Sequence, residues 1–375
     1  MPVIIDGTNG ITQAGEFNSD SSFGFKNRII NGAMVIDQRN AGASVTTNGA
    51  FPVDRFFVSV NNDGAYSANQ DTNAPVGFVN SFKWTTTTAD SSLAAGQYAG
   101  FLHRIEGNNM ADFGWGTANA KTVTLSFWTR SSLTGTFSGS FVNNATNRSY
   151  VFTYTISTAD TWEFKTITIT GDTTGTWLTN NGIGVSVVFS LGTGSTYSGT
   201  AGSWSSNFYL AATGGVSVIG TLNATFYITG VQLEVGSTAT SFDYRPFGTE
   251  LALCQRYFET NFNYGTAPAA GVSFANSSGH VFSAYTTTNA RSEGILFAVP
   301  KRGAPNITFY RTSLNGSNDN SWNLYINPAW TNSSTPTGQS TGGNFASFQA
   351  DATFSGMSTG SAYIGAGNWA ASAEL

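Results

Sequence analysis

Charge is scarce in this chain: Asp, Glu, Lys and Arg make up 10% of it, against roughly 25% in an average soluble protein. Solubility therefore rests on hydroxyls and amides. The single cysteine, Cys254, rules out a disulfide within the chain, and its place beside Leu253 reads as an inert, half-buried thiol. The two histidines, His103 and His280, stand far apart and outside any metal-ligand motif, so neither a metal site nor a cofactor is expected. With a net charge of −5 the chain has no basic stripe to neutralise phosphates, which sets nucleic acid aside as a partner. No apolar run approaches the roughly 20 residues of a membrane helix, and the first residues lack a cationic stretch followed by an apolar one. Neither membrane insertion nor Sec export is expected.

The groups needed for catalysis are thin as well. A serine nucleophile needs an elbow of the G-x-S-x-G type, which "GTGSTYSG" does not match. Glycosidases need two carboxylates about 5 to 10 Å apart, and Glu106 with Asp112, or Asp37 with Asp54, are the pairs in reach. With 21 acidic residues such pairs arise by chance. The expectation is a non-enzymatic protein without catalytic residues.

What the chain does have is 43 glycines, 14% aromatics and many Ser and Thr residues, a composition that favours strands over helices. In "KTVTLSFWTR" Val123, Leu125 and Phe127 share one face, the period of two expected of a strand. Ile167 with Ile169 and Val185 with Val187 repeat it. In "ATFYITGVQLEV" the apolar phase jumps from Phe226 and Ile228 to Val231, Leu233 and Val235, so Gly230 marks a β-bulge. Gly-rich turns between short strands predict an all-β chain whose residues 26–246 form an antiparallel sandwich or jelly roll. Residues 1–25 read as an N-terminal arm that orders against a partner. Past Pro246, Leu251, Cys254 and Phe258 recur at helical spacing with Thr249 as N-cap, predicting a helical connector over 247–262. Strand patterns around Ile295, Phe297 and Val299 place a second, smaller β domain at 263–375.

Aromatic rings stack on sugar faces without any charge, while Asn, Ser and Thr bond the hydroxyls. Trp115 in "FGWG", Trp204 in "GSWSSN" and Trp330 in "NPAWTN" stand in loop-like contexts and are the candidate glycan-binding residues. Leu251, Cys254 and Phe258 are the candidate oligomerisation residues, since a short apolar helix is where copies pack around an axis.

The runs "NRIINGAMVIDQRNAG", "VDRFF", "HRIEGNNMADFGWGTANAKTVTLSFWTRSSLTGTFSGS", "FYITGVQLEVGSTATSFDYRPFGTELALCQRYFE" and "SAEL" resemble a family of bacteriophage tail-fibre and related virion structural proteins. The resemblance covers nearly the whole chain from Asn27 onward. It implies a jelly roll similar to carbohydrate-binding modules, a homotrimer on the virion tail that is assembled in the host cytoplasm, and binding to host surface glycan. "IDGTNGIT" resembles segments that precede the outer domains of fibres, which implies contact of the arm with other virion proteins. The alternatives are a capsid decoration or cement protein and, in third place, a glycan-degrading tailspike.

Overall fold

The computed structural model describes residues 4–6, 10–13, 25–272, 278–312, 321–334, 336–341 and 345–375. In chain order the first strands are β1 (Ile4–Asp6), β2 (Gly10–Gln13), β3 (Phe56–Asn61), β4 (Ala65–Asp71), β5 (Ser81–Thr88) and β6 (Tyr98–Glu106). They are followed by β7 (Val123–Ser131), β8 (Gly135–Val142), β9 (Ser149–Ile156), β10 (Glu163–Ile169) and β11 (Ile183–Thr193). Three two-residue strands, β12 (Ser198–Gly199), β13 (Trp204–Ser205) and β14 (Ala211–Ala212), precede β15 (Thr225–Val235).

The chain is all-β apart from one short α-helix. A five-stranded sheet in the order β10-β7-β15-β5-β4 faces a six-stranded sheet in the order β13-β9-β8-β11-β6-β3. All pairings within both sheets are antiparallel. Val123, Leu125 and Phe127 point inward from β7 and meet Val185, Val187 and Phe189 of β11 in one core. The bulge is where the phase jump put it. Register shifts between Thr229 and Gln232, and Gly230 has φ 62. A Cβ on Gly230 would also lie 2.6 Å from the Phe78 ring, so both backbone and packing demand glycine there.

The segment after Phe25 lies along the bulged strand. Asn27 receives the amides of Ile29 and Leu233 and donates to Val231 O. Asn31 clamps Ile36 and Asp54 in the same way. Gly32 packs so close that a Cβ would sit 2.1 Å from Val231 O. Of the expected arm, β1 and β2 pair as an antiparallel hairpin, while residues 1–3, 7–9 and 14–24 fall outside the described residues.

The helix α1 (Phe247–Gln255) comes next, followed by β16 (Phe258–Thr260), β17 (Ser278–Ala284), β18 (Asn289–Ser292), β19 (Ile295–Leu296) and β20 (Asn306–Tyr310). The chain closes with β21 (Asn323–Ile326), β22 (Ala329–Asn332), β23 (Thr337–Thr341), β24 (Ser347–Thr353) and β25 (Ala362–Ser372). Strand β25 organises this second body. Its first half pairs with β17 and β21, and its second half with β16 and β20. A separate core gathers Phe282, Phe309, Trp322, Leu324, Phe348 and Trp369.

The connector departs from the expected helix. Thr249 is inside α1, where its amide already bonds Pro246 O, and it caps nothing. The helix ends at Gln255, so Phe258 belongs to β16 and pairs with Ser372 of β25. Tertiary pairing wins over helical spacing here because Tyr257 and Phe258 are aromatic residues suited to a sheet edge. The joint is a packed interface of both bodies. Arg256 donates to Glu106 through Nε at 2.9 Å and Nη2 at 2.6 Å, and Tyr257 Oη adds a bond of 2.8 Å. Glu374 accepts from Arg39 and Arg55, and the Arg55 guanidinium lies 3.5 Å from the centre of the Tyr257 ring.

Candidate functional site

The outer face of the six-stranded sheet carries a cleft of about 250 Å³. Side chains alternate along a strand, so on β6 Tyr98, Leu102 and Arg104 point out while Ala99, Phe101 and Ile105 enter the core. Register sets Leu102 beside Val188 of β11 and Arg104 beside Ser186, with Val142 of β8 next to Ser186. Leu102, Val142 and Val188 are joined by Leu210 in an apolar cluster separate from the main core.

Leu210 belongs to a flap over residues 195–215 that crosses this face. Ser149 Oγ donates to Asn207 O and accepts from the Tyr209 amide, and Ser138 Oγ accepts from the Ala212 amide. These short hydroxyls hold the flap close to the sheet. Tyr98 and Phe208 form one wall of the site, each braced edge-to-face at 5.5 Å by Tyr197 behind them. Hydroxyls and amides of Ser59, Asn144, Thr146, Ser186 and Thr193 line the rest, and Arg104 is the one charged lining residue. The arrangement offers an apolar platform with aromatic edges and a neutral hydrogen-bonding rim.

The sequence candidates fall elsewhere. Trp115 is 5% exposed, with its indole donating to Lys121 O and rings of Phe113, Phe141, Trp177 and Trp204 around it. Such a ring has no face left for a sugar, so Trp115 is part of the core. Trp204 is half-buried, with its edges on Trp115, Trp177 and Tyr150 and its Nε1 on Thr170 O. It also lines a shallow groove with Arg148, Asn207 and Tyr209. Trp330 lies on the second body against Tyr325 at 5.4 Å. The fold thus brings Trp115 and Trp204 together and leaves Trp330 apart.

Of the candidate oligomerisation residues, Cys254 has no exposed surface and Phe258 is 8% exposed. Both are covered by the chain itself and cannot also meet a second copy. Leu251 is half-buried against the cluster of Ile30, Ile36, Cys254 and Tyr257. Burial pushes the Cys254 thiol well above its ordinary value, consistent with an inert role.

The acidic residues that could have formed a catalytic pair are engaged. Burial raises the Glu106 carboxyl, but the bonds from Arg256 and Tyr257 outweigh it and hold the group below its ordinary value. Asp112 pairs with Arg28 at 2.7 Å. Asp54 accepts from Arg39 and Gln38, and Asp37 from the amides of Arg39, Asn40 and Gly42. His103 is buried, with Nε2 at main-chain atoms of Ile30, and His280 stacks on Trp322. Among the described residues no three His, Cys, Asp or Glu side chains converge as a metal site would require.

Sequence reasoning missed the cleft. The available signal was apolar residues on both faces of one strand, Phe101 followed by Leu102 and Val187 followed by Val188, which marks a sheet covered on its outer side as well.

No family model matches the chain, and no curated protein does. Among solved structures, the enzymatically active domain of tailspike protein 4 of bacteriophage CBA120 aligns over 56% of this chain and 22% of its own, at 13% identity and TM-score 0.31. A family 11 carbohydrate-binding module of a Clostridium thermocellum cellulase aligns over 53% of this chain and 98% of its own, at 13% identity and TM-score 0.27. A protein described as a sugar-binding protein of Bacteroides thetaiotaomicron aligns over 56% and 100%, at 12% identity and TM-score 0.31. Identities and scores this low leave the function of the chain to its own residues.

Proposed function

We propose that this chain is a non-enzymatic phage virion protein, a tail fibre whose sandwich binds host surface glycan in the cleft under the flap. The observation that carries the reading is the cleft itself. Its floor of Leu102, Val142, Val188 and Leu210 and its Tyr98 and Phe208 rings, braced by Tyr197, match the apolar face of a sugar ring, and its hydroxyl rim matches the ring's edge. A volume of about 250 Å³ suits a short stretch of glycan. The likeness of the long sequence runs to tail-fibre proteins supplies the virion setting. Binding of the purified protein to an array of bacterial envelope glycans tests it. Tyr98→Ala and Phe208→Ala are each expected to weaken the strongest signal at least tenfold, and an array with no signal, or signals blind to both changes, refutes the cleft.

A homotrimer belongs to the same reading, since three weak sites on one particle raise effective affinity about a hundredfold. The surface that supports contact between copies is on the second body. Val281, Ile364, Tyr325 and Trp330 are successive cross-strand neighbours on β17, β25, β21 and β22. Val281 is 46% exposed, Ile364 59% and Tyr325 38%. The row carries no charge, so covering it with a neighbouring copy buries no unpaired ion. Sedimentation at micromolar concentration tests it, with a monomer as the contrary result.

A further inference from the structure

Arg104 stands out in an otherwise neutral cleft. It points from β6 in the same direction as Leu102, next to Ser186, and the lining contains no carboxylate. Its guanidinium is only partly used. Nη1 donates to Leu375 O, and the group lies 4.5 Å from the centre of the Phe57 ring. Nε is buried without a hydrogen-bond partner. Among the described residues no acidic side chain bonds Arg104, so its partner is the oxygen of Leu375, with Glu374 acting on it from further off.

Two further guanidiniums lie near it. Arg39, Arg55 and Arg104 share the carboxylates of Asp54 and Glu374, and Glu374 is already bonded to both Arg39 and Arg55. Arg55 Nη2 donates to the carbonyl of Arg104, which holds the two arginines side by side. Burial pushes the Arg104 guanidinium below its ordinary value, Arg55 pushes it further, and Glu374 only partly offsets them. A half-buried guanidinium with donors left over favours a further anionic partner. A ligand that brings an anionic oxygen to this corner gains a charge-assisted bond that a neutral sugar cannot make.

We infer that the cleft selects an acidic glycan, with the sugar ring on Leu102 and Val188 and its carboxylate or phosphate substituent at Arg104. This rests on the reading of the cleft as a sugar site and narrows the class of sugar. The planar guanidinium suits either anion, because both present two oxygens at its spacing.

Isothermal titration of the full chain with three probes tests it: hexagalacturonate, the methyl ester of the same hexasaccharide, and a phosphorylated mannan hexasaccharide. At low salt at least one acidic probe is expected to bind about tenfold more tightly than the ester, and the advantage shrinks in 0.5 M NaCl, as about one charge-assisted bond predicts. The stronger acid identifies which anion the site takes. Arg104→Gln is expected to bring the ratio close to one and Arg104→Lys to restore part of it. Equal binding of acids and ester overturns the inference and leaves the glycan reading intact. A preference that survives in folded Arg104→Gln overturns the role of Arg104. No binding of any probe at millimolar concentration overturns both. The comparison of acid with ester uses the wild-type chain, so it decides even where a variant folds poorly.

Discussion

At the scale of single residues, the side chains that matter most are those the fold has already spent. Trp204 was a plausible sugar platform from its polar, Gly-rich context, but three aromatic neighbours and a bond to Thr170 O make it a structural wedge. Trp204→Ala is therefore expected to lower stability by about 3 kcal/mol, read as a shift of the urea midpoint. A drop in glycan binding without that shift would return Trp204 to the binding surface. Gly230 is the complementary case. Its φ of 62 and the Phe78 ring at 2.6 Å from a hypothetical Cβ exclude any side chain. Gly230→Val is expected to cost about 2 to 4 kcal/mol, from backbone strain plus overpacking, and thermal melts of the variant check this.

At the scale of elements, the joint between the bodies has opposing pH responses built into it. Burial raises the Asp54 carboxyl from 3.8 to about 6, despite the Arg39 guanidinium and the Gln38 bond. The folded chain therefore binds this proton more tightly than the unfolded one. Its contribution is fully present below about 3.8 and is lost as pH rises through about 6, on the order of 3 kcal/mol in all. Glu106 acts the other way. Its carboxyl is held low, so its contribution is present above the unfolded value and is lost as pH falls. Relative to wild type, Asp54→Asn should make stability rise more steeply with pH between 4 and 6, and Glu106→Gln should make it rise less steeply from the acid end up to about 5. Urea midpoints across that range measure both, and parallel profiles for all three proteins would refute the assignment.

At the scale of the whole molecule, the joint couples two cores that could otherwise turn independently. Glu374 reaches from the end of the second body to Arg39 and Arg55 of the first, and Arg302 of the second body donates to Asn181 O of the first at 2.9 Å. Removing one partner of a buried pair leaves an uncompensated charge, so Glu374→Ala is expected to cost about 3 kcal/mol or more. Calorimetry should resolve two transitions in that variant where wild type shows one. The proposed trimer has its own test at this scale. Ile364→Glu puts a charge in the middle of the neutral row on β25 and should give monomers in sedimentation while the melting temperature of each monomer changes little. An oligomer unaffected by the change would move the contact elsewhere.

Much of the fold was legible in the residues. Alternation such as Val123, Leu125 and Phe127 sets an inward face by itself, because successive side chains in a strand point to opposite sides. The jump at Gly230 announced a bulge for the same reason. The cleft was not legible, because it is made of outward residues from β6, β8 and β11 that only sheet pairing sets side by side. Helical spacing suggested a shared helix face for Leu251, Cys254 and Phe258, but β25 drew Phe258 into a strand, an interaction between positions more than a hundred residues apart. Local periodicity depends on chain geometry alone and so can be read from sequence. Which outward faces stay open, and which charges find partners, is decided only when distant segments compete for the same surface.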